Sequence, residues 1–303
     1  MEILYKYTNF FGVHALTNPQ LRLSIPSTLN DPFEGIFNEK LENEMFDKFD
    51  LETLKIYISE NSNAKTKDAI KRMTIKDIIN IYGIIAMSET PRNLLMWAHY
   101  ANEHKGICIG YKADLFDDLA HCPESRLNLE SKRPKKVNYD NIRPHETKSK
   151  CNDINELIKE LENHFTTKSD EWIYEKEHRY IIPLRWATKL KAINKDDEIL
   201  METIDLLTKN NMLTKTKNVT SDEYQINNFT QVHEFAEKYE NVAYLIDVNP
   251  SKIVSIHFGC KFEKEQIKKI KSVLHSQYWN LSHIKLYHLT PSRSRFELIA
   301  NEI

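Results

Sequence analysis

The residues Trp172-Ile173-Tyr174-Glu175-Lys176-Glu177-His178-Arg179 put two carboxylates and a guanidinium at every second position. In extended chain, side chains alternate between faces, so Glu175, Glu177 and Arg179 would project together. Two carboxylates beside a guanidinium can neutralise one another. They can also hold a carboxylate ready for a sugar hydroxyl or an oxocarbenium-like centre. The same spacing equally describes an exposed ladder of charges on a strand edge.

Two other segments carry groups of interest. Met87-Ser88-Glu89-Thr90 precedes Leu95-Met96-Trp97-Ala98-His99-Tyr100. Ser88 ends an apolar run, where polar groups often face a cleft. His99 has the chemistry of a general base, or of a histidine satisfied by a backbone carbonyl. Trp97 and Tyr100 read first as packing residues, because aromatics dominate cores. Near the start, Leu4-Tyr5-Lys6-Tyr7 is followed by Arg22 and by Asn30-Asp31-Pro32-Phe33-Glu34. Lys6 or Arg22 could grip a phosphate. Asn30 and Asp31 could equally be turn residues bonding their own backbone.

Other chemistries find little footing. Cys108, Cys122, Cys151 and Cys260 form no CxxC pair, which disfavours a cysteine-built zinc site and suits free thiols in a reducing cytoplasm. His99 and His104 are five apart, a poor pair for one helical face, and no metal is expected. The six glycines include no GxGxxG and no GxxxxGK[ST], against Rossmann or P-loop nucleotide binding. A net charge of −2 gives no global nucleic-acid footprint. The run Lys132-Arg133-Pro134-Lys135-Lys136 reads as a solvated loop before a phosphate contact. No apolar stretch reaches membrane-spanning length, and Met1–Tyr7 lacks the pattern of a secretory signal, so a cytoplasmic protein is expected.

The elements that must position these residues follow from periodicity. Strands are expected at 2–7, 21–25, 83–87, 107–111, 177–184, 243–248, 253–258, 284–289 and 295–300. Helices are expected at 94–102, 153–166 and 262–277, with two or three more within 39–82. The stretch 188–240 is polar and reads as helical or loop-like. The expectation is one α+β domain over 1–303: a mixed, largely antiparallel sheet with peripheral helices and helical insertions near 39–82, 124–170 and 188–240.

At these residues the chain resembles a bacterial family known only as "domain of unknown function 2971". The resemblance rests on LYKY (4–7), NDPFE (30–34), LMWAHYANEHKGICIGY (95–111) and W-x-x-E-x-E-x-R (172–179), over roughly 1–184, with a weaker echo in IVSIHFG (253–259). More distantly, the order of elements is similar to ADP-ribosyltransferases of the arginine-serine-glutamate type. That resemblance implies NAD as substrate. It matches Lys6 to the NAD-gripping basic residue, Ser88 to the supporting serine, Glu177 to the catalytic glutamate and Glu175 to the residue that orients an acceptor. Tyr7, His99 and Arg179 are expected to join Lys6 in binding NAD, and Tyr100 or Trp97 would stack on nicotinamide. It further implies a macromolecular acceptor, protein or nucleic acid, and a toxin or phage-defence setting. The chain departs from that pattern in carrying lysine at position 6, which cannot make arginine's planar bidentate contact, and Glu89-Thr90 after the serine. Two other readings stay open: a non-catalytic sensor or interaction module, and a magnesium-dependent hydrolase using Glu175, Glu177 and Asp31.

Overall fold

A computed structural model describes residues 2–48, 80, 82–119, 132–145, 151–216, 222–229, 232, 241–276, 278–279 and 281–303. The helices expected between 49 and 79, and Cys122, lie outside the described residues.

The strands are β1 (Ile3–Thr8), β2 (Gln20–Leu23), β3 (Tyr82–Ser88), β4 (Ile107–Lys112), β5 (Lys135–Lys136), β6 (Asn138–Tyr139), β7 (Thr167–Lys168), β8 (Glu177–Pro183), β9 (Lys189–Ala192), β10 (Leu213–Lys215), β11 (Glu223–Ile226), β12 (Val242–Asp247), β13 (Ile253–Phe258), β14 (Lys285–Pro291) and β15 (Leu298–Glu302). The helices are α1 (His14–Thr17), α2 (Glu39–Lys48), α3 (Leu94–Tyr100), α4 (Ile154–Phe165), α5 (Glu198–Lys209) and α6 (Lys264–Leu274).

Eight strands form the main sheet in the order β15-β14-β13-β4-β1-β3-β8-β5. Only β13 and β14 pair in parallel, joined through α6; the other pairs are antiparallel. The mixed, largely antiparallel α+β architecture expected from the sequence is the one observed. The centre is apolar because its strands are. Every residue of β8 is buried, as are six of the seven in β3. Strands covered on both faces read as continuous apolar runs, which is how YGIIAMS and HRYIIP read.

A second antiparallel sheet, β10-β11-β9-β12-β2, packs on the first through a shared core. Here the sequence reading is corrected. The stretch expected to be helical or loop-like supplies three strands, β9, β10 and β11, as well as α5, and their Leu190, Leu200, Ile204, Leu207, Leu213 and Tyr224 are buried. Their outward faces are charged, and that hid the alternation of KLKA and EYQI. The sheets meet at the bridge between Ser24 and Ile84. A Cβ on Gly83 would sit 2.5 Å from the Leu23 Cβ. Glycine there lets β2 cross β3 closely, which carries Arg22 over the end of the main sheet.

Helices α2 and α4 cover the other side of β3 and β8. Leu157, Leu161 and Phe165 of α4 recur every four residues and pack with Leu41, Met45, Tyr82, Ile84 and Ile181. The Asp153 side chain starts α4 by accepting from the Asn155 and Glu156 amides, 2.8 and 3.0 Å away. Among the described residues, no helix is long and apolar enough to cross a membrane.

Candidate active site

Three neighbouring strands set the site. Ser88 of β3 lies in register with Tyr5 of β1 on one side and with Glu177 of β8 on the other. At this end of the sheet Lys6, Ser88, Glu175, Glu177, Arg179 and Tyr100 line one cavity of about 220 Å³, whose wall also includes Arg22, Leu29 and Asn30, the first residue of NDPFE.

Helix α3 is fixed beside it by its own start. The Asn93 side chain accepts from the amides of Leu95 and Met96, at 2.9 and 3.2 Å, and donates to the Tyr174 carbonyl. One residue thus caps α3 and ties it to the chain entering β8, so that Tyr100 reaches the cavity. The helix ends in a left-handed turn, with positive φ at Asn102, Glu103 and His104.

The floor is a buried network of ions. Glu175 and Glu177 are each 4% exposed and Arg179 1%. Arg179 grips Glu177 bidentately, at 2.7 and 3.0 Å, binds Glu34 at 2.6 Å and donates to the Phe165 carbonyl at 2.9 Å. Lys168 binds Glu175 at 2.7 Å, lies within 3.6 Å of Glu34 and Glu177, and covers the Trp172 ring. The Tyr100 hydroxyl donates to the other Glu175 oxygen at 2.5 Å. Ser88 donates to the Glu175 carbonyl at 2.7 Å, and Lys6 donates to the Ala86 carbonyl at 2.8 Å. Such a cluster is tolerable only because its charges meet: Glu34, Glu175 and Glu177 face Lys6, Lys168 and Arg179.

Environment tunes these groups. Burial would raise the Glu177 carboxyl, but Arg179, Lys168 and Lys6 more than offset it and hold it below the ordinary carboxylate value. Burial prevails at Glu34, raised despite Arg179 and Lys168. Among the described residues its Oε2 has no hydrogen-bond partner. Burial lowers the Lys6 ammonium, opposed by Glu177 and Glu175. It raises the Tyr100 hydroxyl, and the bond to Glu175 raises it further. Arg22 is exposed at the mouth and makes no ion pair among the described residues, so it remains a cation for a ligand.

Several residues fall elsewhere than the spacing suggested. Glu175 is not in extended chain. It ends a short 3₁₀ helix (Asp170–Glu175), and Lys176, with a φ of 46°, swings the chain into β8. The two carboxylates still face one cavity. Trp97 is fully buried away from the cavity lining, edge-on to Tyr7 at 5.2 Å, and its ring N–H donates to the Pro91 carbonyl. It is packing, not a stacking platform. His99 is exposed beside Tyr174 and is not among the lining residues, so it reaches no reacting group there. The Tyr7 hydroxyl is committed to the Thr90 carbonyl and the Asn93 amide, leaving Tyr7 a wall residue. Asp31 accepts from the Phe33 amide at 2.9 Å as a turn residue. In the basic run, Arg133, Lys135 and Lys136 pair with Asp117, Glu162 and Glu89.

Spacing alone missed two members of the network. Lys168 stands outside every motif, although the chain between α4 and Trp172 had to return to this floor. Glu34 closes NDPFE, and a carboxylate ending a turn motif beside other candidate residues was the available signal.

Fold and site together define an α+β protein with a cleft floored by a charge-balanced ion network. Residues 96–180 match the sequence profile of the family described as "Protein of unknown function (DUF2971)". This bears out the resemblance over a segment that contributes Tyr100, Lys168, Glu175, Glu177 and Arg179 to the cavity. Neither the curated proteins nor the solved structures include a match to the chain.

Proposed function

We propose that the cleft is an NAD-consuming site of the ADP-ribosyltransferase type, transferring ADP-ribose to a macromolecule or to water. The carrying observation is the convergence of Lys6, Ser88 and Glu177, from three adjacent strands, on one cavity. The volume suits a nucleoside-sized group; the remainder of a dinucleotide would run out past Arg22, a cation at the mouth with no ion pair among the described residues, which suits a pyrophosphate.

In the reaction the bond from ribose C1′ to nicotinamide breaks, and nicotinamide leaves neutral with the electron pair. Positive charge then spreads over C1′ and the ring oxygen. Glu177, ionised and held still by Arg179, is the anion that meets it, and a preorganised anion there lowers the barrier more than one that must reorient. An acceptor oxygen or nitrogen bonds C1′ and releases its proton. Glu175, fixed by Tyr100 and Lys168, is placed to orient that acceptor. A toxin or phage-defence role would follow from depletion of NAD or modification of a target.

The test is incubation of the purified chain with NAD while free nicotinamide is followed. Release by the wild type and its loss in a folded Glu177→Gln variant are expected. A wild type that releases none overturns the reading.

One observation favours a second reading, a binding module without turnover: each carboxylate in the cavity already has a cationic or hydroxyl partner. That reading predicts saturable NAD binding with no nicotinamide released. The magnesium-hydrolase reading gains nothing from the site, because Lys168 and Arg179 lie against the carboxylates and Asp31 caps a turn.

A further inference from the structure

A second buried polar cluster lies in the layer of α2 and α4. Glu44 comes from α2, Glu160 from α4, and His145 and Cys151 from the chain leading into α4. All four are buried. His145 Nε2 lies 3.0 Å from Glu44 Oε1, and its Nδ1 lies 3.6 Å from Glu160 Oε2. The second Glu44 oxygen accepts the Cys151 amide at 2.7 Å. One ligand atom each from Glu44, His145 and Cys151 falls within 4.8 Å of the others.

Hydrogen bonding does not fully account for this arrangement. The side chain of His145 is 1% exposed, yet among the described residues its Nδ1 has no hydrogen-bond partner, only Glu160 Oε2 at 3.6 Å. The backbone at His145 is left-handed, with a φ of 72°, which a non-glycine residue adopts at a cost. Glu44 meets no lysine or arginine among the described residues, unlike the carboxylates of the cleft.

The geometry points to a zinc(II) site formed by Glu44, His145 and Cys151, with Glu160 behind His145 as the residue that orients its ring. One thiolate, one imidazole and one carboxylate are the donor set of borderline-soft, four-coordinate zinc. Neighbouring ligand atoms around tetrahedral zinc lie about 3.3–3.6 Å apart. The His145–Glu44 pair therefore needs to open by a few tenths of an ångström, and the widest separation, within 4.8 Å, needs to close by at most about 1 Å. With Nε2 on the metal, Nδ1–H faces Glu160, the carboxylate–histidine–metal arrangement that fixes tautomer and ring direction. The fourth position falls to water. His145 also forms part of the wall of a cavity of about 430 Å³ with Asn163 and Thr166.

The consequence is structural. Zinc would pin α2, His145, Cys151 and α4 together. The end of α4 supplies the Phe165 carbonyl to Arg179 and His164 to the Glu34 carbonyl. The metal would then brace the cleft floor from behind without entering it.

The test uses the full chain, purified without a histidine tag. Zinc is measured by elemental analysis and by titration against a chromophoric chelator. About one zinc per chain is expected, lost in Cys151→Ala and in His145→Gln. Glu160→Gln should still bind, with affinity weakened about 10–100-fold. Cobalt(II) in the wild type should show a thiolate charge-transfer band. A wild type that holds no zinc and takes none up in the titration overturns the proposal, and that measurement needs no variant to fold. Uptake unchanged in a folded Cys151→Ala variant overturns it as well.

Discussion

Two buried acidic clusters lie against the same helix, and they are satisfied differently. In the cleft, Glu177 lies between Arg179 and Lys168. Near the start of α4, the partners of Glu44 among the described residues are the His145 imidazole and the backbone amide and thiol of Cys151. A carboxylate paired with guanidinium is complete without help, whereas one facing imidazole and thiol is a ligand set. The difference separates what the protein does with each. On the proposed readings, the cleft would present Glu177 in fixed orientation to a ligand's developing charge, and the cluster behind it would bind a cation.

The largest effect that would break this contrast is removal of Arg179. Arg179→Met leaves Glu177 and Glu34 buried without their guanidinium, at a cost of about 3–5 kcal/mol. Chemical denaturation should show that loss. A cost under 1 kcal/mol would mean the network is not what holds the floor. Close in size, Leu161→Ala should cost about 2–5 kcal/mol through the cavity left between α4 and β8. It should also loosen the two clusters together, visible as faster amide exchange at Phe165 and at Cys151.

The pH dependence sharpens the comparison further. Burial pushes His164 down to about 3 and His257 down to about 4. The unfolded chain takes up these protons near the ordinary value of 6.5 and the folded chain does not. Stability is therefore lost as pH falls below 6.5 and continues to fall toward those lower values. Glu177, held below its ordinary 4.5, adds a loss beneath that value. Urea midpoints across pH 7 to 4 should decline, and His164→Gln, which keeps an N–H for the Glu34 carbonyl, should flatten the upper part. The smallest effect on stability belongs to Arg22→Ala, within about 0.5 kcal/mol, as for an exposed residue with no ion pair among the described residues. The same variant should weaken binding of NAD in calorimetry, and unchanged affinity would remove Arg22 from the mouth's role.

Much of the scaffold was legible because its signals are local. The strands around Ile84, Ile109, Ile181 and Ile256 are apolar runs, and α4 announces itself through Asp153 and the spacing of Leu157, Leu161 and Phe165. The meeting of Lys6, Ser88 and Glu177 followed from the order of elements that the sequence resembles. What stayed hidden depended on the third dimension. Nothing marks Lys176 as left-handed, so Glu175 looked extended. Lys168 is one lysine among many until the chain folds it under Glu175. The strands between 189 and 226 bury only one face and read as polar. Glu44 and His145 are about a hundred positions apart, and no spacing rule pairs them.

The central claim is that the cavity bounded by Lys6, Ser88 and Glu177 turns over NAD, and its most direct test is a time course of nicotinamide appearance by proton NMR. The account predicts steady release by the wild type and none above the uncatalysed rate for Glu177→Gln at equal folded concentration. Equal release by both proteins, or none by either, would contradict it.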